Sequence, residues 1–575
     1  MNRVRALVLG SLAALFVFAV ALACVDGRKG YMPLDHSIVF DGAWRVLCGQ
    51  VPYRDFTTPN GLAPMYLQAP LFALLGPTWF AYVLHAALAN GAFALLVYAL
   101  LRRFALERPF AWLYAAASAV VFYPPIGVPY MEQESFLFSL AALVAAVWAT
   151  AAEPATRRAN VLWAAAVLAL AAAALSKQIP AVFALPVVLV IFACGARAPR
   201  RSAVVTLVVT ALAIVAGLAL VAWLAGVDAG LAFDYAWRLP RAEGAFKLRF
   251  VDTAAKFFGR VQHTVGESGL LSLYTHAAAP ALALVAFVVA AISRERRAAW
   301  LGAAAAWSLA TAAIWTCVGF VAFAGNQWQN GVPFAFLAVG LVHAGVRGLG
   351  DGASQRAGSG AGKGVSNGGG NGGGCSPASV AGRGAGRGVG GIAGSAIGLA
   401  LALLAARDAW RFECEVNRTR LVNDLVFSPE RAAEAAPHLP SELAFLAWNL
   451  PPSFPVEARD FAELAAFLRA ETDGFVLLGD FTILHALARK EPLEPCLWLH
   501  PGLSMPWPDD PAFAAFDARW AAPFLDGRAR WLVLQGEETF TKRRLEQFPA
   551  LAELVGARGR PPRTFGAFRV LDLAP

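Results

Sequence analysis

Residues 77–103 read PTWFAYVLHAALANGAFALLVYALLRR, and this stretch sets the architecture of the chain. The run exceeds the roughly 20 apolar residues that an α-helix needs to cross a bilayer, and it ends in two arginines. Similar runs recur from the N-terminus to about residue 406. We therefore predict eleven membrane-spanning helices, at residues 6–24, 77–101, 107–123, 134–152, 159–176, 180–195, 202–226, 270–293, 298–324, 332–348 and 389–406.

The composition of the whole chain is that of a polytopic membrane protein. Of its 575 residues, 58% are hydrophobic and only 15% are charged, and the mean hydropathy is +0.54. Soluble domains carry about one-quarter charged residues. The net charge of +9 comes largely from arginines in every second loop, so it indicates no nucleic-acid partner. The predicted fold class is mainly α.

The arginines also predict the orientation, because cytoplasmic loops of membrane proteins are enriched in lysine and arginine. Basic residues precede the first span and follow the second, fourth, sixth, eighth and tenth spans. We therefore expect a cytoplasmic N-terminus. With an odd number of spans, everything after residue 406 lies outside. A second interpretation of the first span, as a cleaved signal peptide ending near Cys24, stays open.

Two segments differ from the spans. Residues 349–392 form a glycine-rich run, which is predicted to be a disordered cytoplasmic loop because it has little apolar surface to bury. Residues 407–575 regain charges, and they contain strand-like runs at 475–478, 531–534 and 565–571 and a helical pattern at 461–470. We predict a transmembrane domain over residues 1–406 and a small extracytoplasmic α/β domain over residues 407–575.

Several short motifs carry little weight. The seven cysteines form no CxxC pair, and a disulfide between Cys414 and Cys496, both predicted outside, stays open. Asn417 begins an Asn-Arg-Thr glycosylation triplet. A GxGxxG match lies inside the glycine-rich run and follows no strand, so it indicates no dinucleotide site.

The polar loop at residues 25–76 is the strongest candidate for a functional site. It contains the sequences Asp35-His36, then Asp41, then Gly49-Gln50-Val51-Pro52-Tyr53-Arg54-Asp55-Phe56. Carboxylates are costly to keep beside hydrocarbon, so three of them within residues 35–55 predict a function. The apolar segment from Met65 to Gly76 is too short to span easily and fits a re-entrant or interfacial helix.

This loop resembles that of a known family. Asp35-His36, Trp44, the run at residues 49–56, Pro64 and Tyr66 are similar to the first extracytoplasmic loop of bacterial C-type integral membrane glycosyltransferases. These are glycosyltransferase family 39-like relatives of the protein mannosyltransferases and of the lipid A aminoarabinose transferase, and they share the GT-C fold. The resemblance covers roughly residues 1–406.

The resemblance implies roles for the loop residues. Asp35 takes the place of the catalytic base that deprotonates an acceptor hydroxyl, and Asp41 ranks second. The other polar residues of the loop are expected near the donor, a polyprenyl-phosphate sugar: His36, Tyr53, Arg54 and Asp55. From the residues alone, Asp55 also suits a pair with Arg54 or a helix cap. The family often has Asp-Glu where this chain has Asp35-His36, so a divalent metal is a possible cofactor that the loop does not specify.

Later outer loops contribute further candidates for donor or phosphate binding. Glu134 opens the fourth span, where the helix dipole also suits a carboxylate, and Glu132 lies nearby. Lys177 lies at an outer helix end, where it can snorkel to lipid headgroups or hold a phosphate. Arg238 and Arg241 belong to a basic, aromatic loop at about 227–269 that also suits an interfacial helix. Residues 326–330 suit either sugar contact or an interfacial belt.

The sequence thus predicts an integral membrane glycosyltransferase of the bacterial cytoplasmic (inner) membrane. It would move a sugar from polyprenyl phosphate to a cell-envelope acceptor, namely a glycan such as lipopolysaccharide, a lipid or a protein, with inversion and without an organic cofactor. Membrane lipids are the other expected partners. A transporter or flippase of lipid-linked precursors is one alternative, disfavoured because ionisable residues lie mostly at span ends or in loops. A non-catalytic membrane subunit is the other alternative.

Overall fold

The computed structural model describes residues 3–153, 155–195, 200–242, 279–292, 297–315, 333–346, 389–418, 426–536 and 544–574. Three predicted features lie partly or wholly outside these ranges. They are the fourth outer loop beyond residue 242, the fifth outer loop at 326–330, and the glycine-rich loop up to residue 388.

The described part of residues 3–418 is mainly helical. In chain order its helices are α1 (Arg3–Gly27), α2 (Pro33–Leu47), α3 (Leu62–Leu75), α4 (Trp79–Arg103), α5 (Arg108–Phe122), α6 (Met131–Ala151), α7 (Arg157–Ser176), α8 (Gln178–Gly195), α9 (Arg200–Leu224), α10 (Ala229–Phe233), α11 (Ala279–Ile292), α12 (Arg297–Trp315), α13 (Pro333–Val346) and α14 (Val389–Phe412). Each of the predicted spans overlaps one of these helices. Among the described residues, five helices are long and apolar enough to cross a membrane, namely α1, α4, α6, α7 and α9. The fold is that of a multi-pass membrane protein, and the number of crossings stays a prediction.

Helix α4 lies at the centre of the bundle and contacts both α1 and α5. The Asn90 side-chain Nδ2 donates to the carbonyl of Ala19 on α1 at 2.9 Å and to that of Ala119 on α5 at 3.1 Å. Phe93 of α4 stacks on Phe122 of α5, with ring centroids 3.8 Å apart. The alanines and glycines of these helices allow this close approach, as is typical of membrane interfaces.

The first outer loop contains a helix that its polarity did not predict. Pro33 opens α2, a position where the missing N–H of proline costs nothing. Phe40 of α2 packs edge-on against Tyr82 of α4, with ring centroids 5.1 Å apart. Helix α3 follows and covers most of the segment predicted as re-entrant or interfacial. Asp35 and Asp41 therefore lie on one helix.

Residues 426–574 contain the predicted α/β region, described up to residue 536 and from residue 544. Its elements are α15 (Pro429–Ala435), α16 (Ala458–Ala470), β1 (Gly474–Leu478), α17 (Leu484–Ala488), α18 (Phe513–Leu525), β2 (Ala529–Gln535), α19 (Pro549–Arg558), β3 (Arg563–Phe565) and β4 (Phe568–Asp572). The sheet order is β1-β2-β4-β3, with β1 parallel to β2 and β4 antiparallel to both neighbours. The third predicted strand divides into two, because Gly566 at φ +55° turns the chain into a hairpin. We call this region, which the sequence predicts to lie outside the membrane, the outer domain.

The outer domain shares a hydrophobic core with the first outer loop. The ring of Tyr31 lies 5.6 Å from Trp79, 5.9 Å from Trp448 and 5.6 Å from Phe481, measured between centroids. The backbone N–H of Tyr31 also donates to the carbonyl of Asn449 at 2.9 Å. The division into residues 1–406 and 407–575 stays an expectation, and these contacts cross it.

Candidate active site

Four of the outer loops predicted from the sequence meet at one end of the helix bundle. The Gly61 N–H, in the first loop, donates to the carbonyl of Ser176 in the third at 2.9 Å. A Cβ on Gly61 would lie 2.9 Å from the sulfur of Met131, which follows the second loop. The Asp228 N–H, in the fourth loop, donates to the carbonyl of Tyr53 at 3.1 Å. Side chains that lie far apart in the sequence are therefore gathered in one region.

Asp35 and Asp41 occupy different environments on α2. Asp35 lies in the first turn, where the helix dipole favours a carboxylate, and it is half-buried. Asp41 follows six residues later, which places it about 9 Å along the helix and about 120° around it. Asp41 is fully buried. Asp35 is therefore the more accessible of the two carboxylates.

His36 is buried beside Asp35 and forms part of the start of α2. The His36 Nδ1 accepts a hydrogen bond from the backbone N–H of Met32 at 3.2 Å. The backbone N–H of His36 donates to the Met32 carbonyl at 2.9 Å. Among the described residues, no group of three or more histidine, cysteine, aspartate or glutamate side chains is placed to hold a metal ion.

Asp41 belongs to a buried ionic cluster that joins α2 to the outer domain. The Arg45 Nε donates to Asp41 Oδ2 at 2.8 Å, and the Arg45 Nη2 donates to Glu494 Oε2 at 3.1 Å. On the far side, the His485 Nε2 lies 2.9 Å from Glu494 Oε1. The side chains of Asp41, Arg45, Glu494 and His485 are each at most 2% exposed.

The pKa values of the two carboxyls in this cluster shift in opposite directions. Burial raises the pKa of Asp41 against the influence of Arg45. Burial also acts to raise the pKa of Glu494, but His485 and Arg45 outweigh it and lower that pKa. This geometry favours a structural role for Asp41, and its ranking as a second base stays a prediction.

Tyr53, Arg54 and Asp55 form a tight turn. Tyr53 has φ +62°, the left-handed conformation that non-glycine residues adopt at a cost, and its N–H donates to the Phe56 carbonyl at 2.7 Å. Burial raises the pKa of the Tyr53 phenol, which packs in one cluster with Tyr235 of the fourth loop. The sequence alone gave no indication that the run at residues 49–56 and the fourth loop touch.

Asp55 organises this turn from within. Its Oδ2 accepts from the Val51 N–H and from the Arg54 Nη2, each at 2.7 Å. Burial acts to raise the pKa of Asp55, but the hydrogen bonds from Arg54 and Val51 outweigh it, so the pKa falls. Arg54 also donates to the Ala225 carbonyl at 3.1 Å. These contacts hold the first and fourth loops together, and donor contact by the turn stays a prediction.

Lys177 forms an ion pair with Glu132 at the outer ends of α6 and α7. Glu132 is buried, and its second carboxylate oxygen has no hydrogen-bond partner among the described residues. The Ser135 hydroxyl donates to the Lys177 carbonyl at 3.1 Å, which fixes the backbone at this point. The charge of Lys177 is therefore compensated here, and a phosphate that binds it competes with Glu132.

Glu134 lies in a buried network that sequence reasoning largely missed. Its Oε1 accepts from the Tyr123 hydroxyl at 2.7 Å and lies 3.1 Å from the His85 Nε2. The His85 Nδ1 lies 3.0 Å from Gln68 Oε1, so the His85 ring lies between Gln68 and Glu134. An ionisable residue inside an apolar span was the available sequence signal for His85.

Arg238 bridges the fourth loop and the outer domain. Its Nε donates to Asp234 Oδ1 at 2.6 Å, and its Nη1 donates to Asp510 Oδ2 at 3.1 Å. Two carboxylates thus share its charge. Arg241 lies one turn further along and is exposed. Phosphate binding by either arginine stays a prediction.

The structure also bears on two minor features of the sequence. Asn417 is buried and donates to the Val120 carbonyl at 2.9 Å, so the acceptor asparagine of the glycosylation triplet is not accessible. Cys414 and Cys496 are both free thiols, and Cys496 is buried. These two cysteines form no disulfide with each other.

No protein-family model and no curated protein matches the chain. The solved structures to which it is similar include two proteins, each at 13% identity. ArnT from Cupriavidus metallidurans matches at 13% identity in the apo state (TM-score 0.42, 100% of each chain) and bound to undecaprenyl phosphate (TM-score 0.41, 98% of this chain and 99% of that chain).

The archaeal oligosaccharyltransferase AglB from Archaeoglobus fulgidus, in complex with an inhibitory peptide and a dolichol-phosphate, is also similar. It matches at 13% identity with a TM-score of 0.41, over 98% of this chain and 74% of that chain. This similarity assigns no activity, donor or acceptor to the chain.

Proposed function

We propose that the chain is an integral membrane glycosyltransferase that moves one sugar from a polyprenyl-phosphate donor to an acceptor outside the cytoplasmic membrane. The observation that carries the proposal is that four predicted outer loops meet at one end of the helix bundle. Lys177 pairs with Glu132 there, and Asp35 belongs to the first of these loops. The resemblance of the first loop to the C-type glycosyltransferases supplies the reaction class.

The acceptor is a hydroxyl group that attacks the anomeric carbon of the donor sugar. A carboxylate within hydrogen-bond reach takes the hydroxyl proton as the new carbon–oxygen bond forms. Asp35 is the candidate, because it is half-buried in the first turn of α2 while Asp41 is committed to Arg45. The bond from the anomeric carbon to the phosphate oxygen breaks in the same step, so a single displacement inverts the configuration.

The leaving group is polyprenyl phosphate, which gains negative charge as the bond breaks. A fixed cation stabilises that charge in a site that excludes water. Lys177 is the candidate, since its ammonium is partly exposed beside the first loop. When the donor binds, its phosphate would then replace Glu132 as the anionic partner of Lys177. The apolar surfaces of the spans suit the lipid tail.

The test uses the full chain purified in lipid nanodiscs. Undecaprenyl-phosphate sugars are supplied as a panel with an envelope extract as the source of acceptors, and release of free undecaprenyl phosphate is followed. The native chain should release it from at least one donor. Asp35→Asn should slow release by roughly 10²–10⁴-fold, because a positioned base contributes about that much.

Asp526→Asn is the matched control, since Asp526 lies exposed in a turn of the outer domain far along the chain from the loops. It should retain native turnover. No release from any donor, with Asp35→Asn indistinguishable from the native chain, would overturn the proposal. Movement of intact donor between leaflets without its consumption would favour the transporter interpretation instead.

A further inference from the structure

We propose that the outer domain positions the first-loop helix for the reaction, with Arg45 and Glu494 as the positioning residues. Together they fix α2, and through α2 the carboxylate of Asp35. This inference rests on the proposed function as far as it concerns turnover. Its structural half, that the outer domain holds α2 in one place, stands independently of the reaction.

Hydrogen bonds tie α2 to the outer domain near its start and along its last turn. The Ser37 hydroxyl donates to the Asp480 carbonyl at 3.1 Å. The Trp44 indole N–H donates to the Lys490 carbonyl at 2.8 Å. Residues 37 and 45 lie about 12 Å apart along α2. Hydrogen bonds at both points therefore fix the tilt of α2 as well as its position against the outer domain.

The anchor at the end of α2 is a buried, charged arginine with several hydrogen bonds to the outer domain. The Arg45 Nη1 donates to the Glu494 carbonyl at 2.9 Å, while its Nη2 reaches the carboxylate of the same residue. The next bond comes from Gln50, whose Nε2 donates to the Pro492 carbonyl at 2.6 Å. The Arg45 guanidinium also lies 5.1 Å from the centre of the Phe56 ring.

A buried ionic cluster of this kind admits one arrangement. An apolar contact tolerates small sliding motions, whereas a guanidinium that leaves its carboxylates inside a protein leaves uncompensated charges behind. The cluster is thus suited to holding a helix in register. Asp41 belongs to the same cluster, because it accepts a hydrogen bond from the Arg45 Nε.

Asp35 and Arg45 belong to the same unbroken helix, so displacement of one displaces the other. Proton transfer needs the base within hydrogen-bond reach of the acceptor hydroxyl. A misplacement of about 1 Å costs up to roughly 10²-fold in rate. The outer domain is therefore a part of the active site in this interpretation, although none of its residues needs to touch the sugar.

The first experiment measures hydrogen exchange of the full chain in nanodiscs. Glu494→Gln keeps the shape of the side chain and removes its charge. We expect the amides of α2 to exchange at least about tenfold faster, while those at the outer end of α4 are unchanged. Glu463→Gln, which removes an exposed pair with Arg459, should leave α2 as in the native chain. Native exchange in α2 of Glu494→Gln would overturn the inference.

The second experiment separates positioning from general damage. With a donor that the native chain turns over, Glu494→Gln should lower kcat about tenfold or more and leave binding of undecaprenyl phosphate within about twofold. Glu494→Asp, which keeps the charge, should restore part of kcat. An unchanged kcat would overturn the role in turnover. If the native chain turns over no donor, the proposed function fails, and the exchange experiment still decides whether α2 is held.

Trp44→Phe is the second variant, in case Glu494→Gln does not fold. It removes the single bond to the Lys490 carbonyl and keeps an aromatic ring. Like Glu494→Gln, it should speed amide hydrogen exchange near the end of α2 and lower kcat, while donor binding is retained. Native exchange and native kcat in this variant would count against the inference.

Discussion

The Arg45 Nη2 lies 3.1 Å from Glu494 Oε2, although 449 positions separate the two residues in the chain. Both side chains are almost fully buried. This ion pair, with Asp41 and His485 on either side, makes the first outer loop and the outer domain one packed unit. It also divides the loop's aspartates by environment, since Asp41 is committed to Arg45 while Asp35 lies half-buried at the helix start.

Arg45→Met should destabilise the protein by about 3–5 kcal/mol, because it leaves the buried Asp41 carboxylate without its ion-pair partner and removes one partner of Glu494, which keeps His485. Arg459→Ala, in the exposed pair with Glu463, should leave the unfolding midpoint close to that of the native protein, because solvent screens exposed ion pairs. Thermal unfolding midpoints of both variants in the same detergent check this. Equal midpoints would show that the cluster contributes little.

Lys177 and Glu132 should have opposite effects on binding of undecaprenyl phosphate. Lys177→Met removes the cation and should weaken binding, whereas Glu132→Gln removes the competing anion and should tighten it. Each change should be about tenfold, the scale of one charge-assisted hydrogen bond. Titration in nanodiscs measures both. Unchanged binding in both variants would remove Lys177 from the phosphate site.

Gly27→Ala should destabilise the outer end of α1. The added Cβ would lie 2.2 Å from the Gly127 carbonyl oxygen and 2.6 Å from the Val83 side chain. Overpacking of this kind costs about 1–3 kcal/mol. Gly10→Ala in the same helix has open space and should be neutral or slightly stabilising, since alanine is the better helix former. The two midpoints, compared in one detergent, test the predicted difference.

Cys48 should react slowly with maleimide at neutral pH although it is exposed. Burial of its sulfur, with Glu491 nearby, raises the pKa of the thiol to about 11. The thiolate is the reactive form, so the labelling rate should rise about tenfold per pH unit through pH 9.5. A variant that retains only this cysteine gives the rate. Labelling by an impermeant maleimide in intact cells would support the outside location of the loop, and a plateau near pH 8.5 would contradict the raised pKa.

The outer domain should lose stability as the pH falls from about 4 towards 2. A hydrogen bond from Arg530 lowers the pKa of Asp572 to about 2, so this carboxylate stabilises the folded state above its unfolded pKa of about 3.9. That contribution disappears as the pH falls through the folded value. Asp572→Asn should lower the stability at pH 6 and flatten the dependence on pH over this range. Parallel curves for the two proteins would contradict the assignment.

Local patterns in the sequence predicted much of the fold. The apolar runs each overlap a helix, and the strand-like runs at 475–478 and 531–534 lie within β1 and β2. Length and periodicity of hydrophobic residues are local properties, so one sequence is enough to find them. Helix α2 was missed because its apolar face is covered by α4 and the outer domain, and its polar residues suggested a loop.

The sequence by itself determined that this is a multi-pass membrane protein with an α/β region after its last spans. The length of an apolar run and the alternation of side chains in a strand are local patterns that short segments show. Only the tertiary structure decided which polar residues share a site. Pairs such as Arg45 with Glu494, or His85 with Glu134, join residues that no local pattern links. Any arginine in the chain is able to pair with any carboxylate, and packing alone selects the partner.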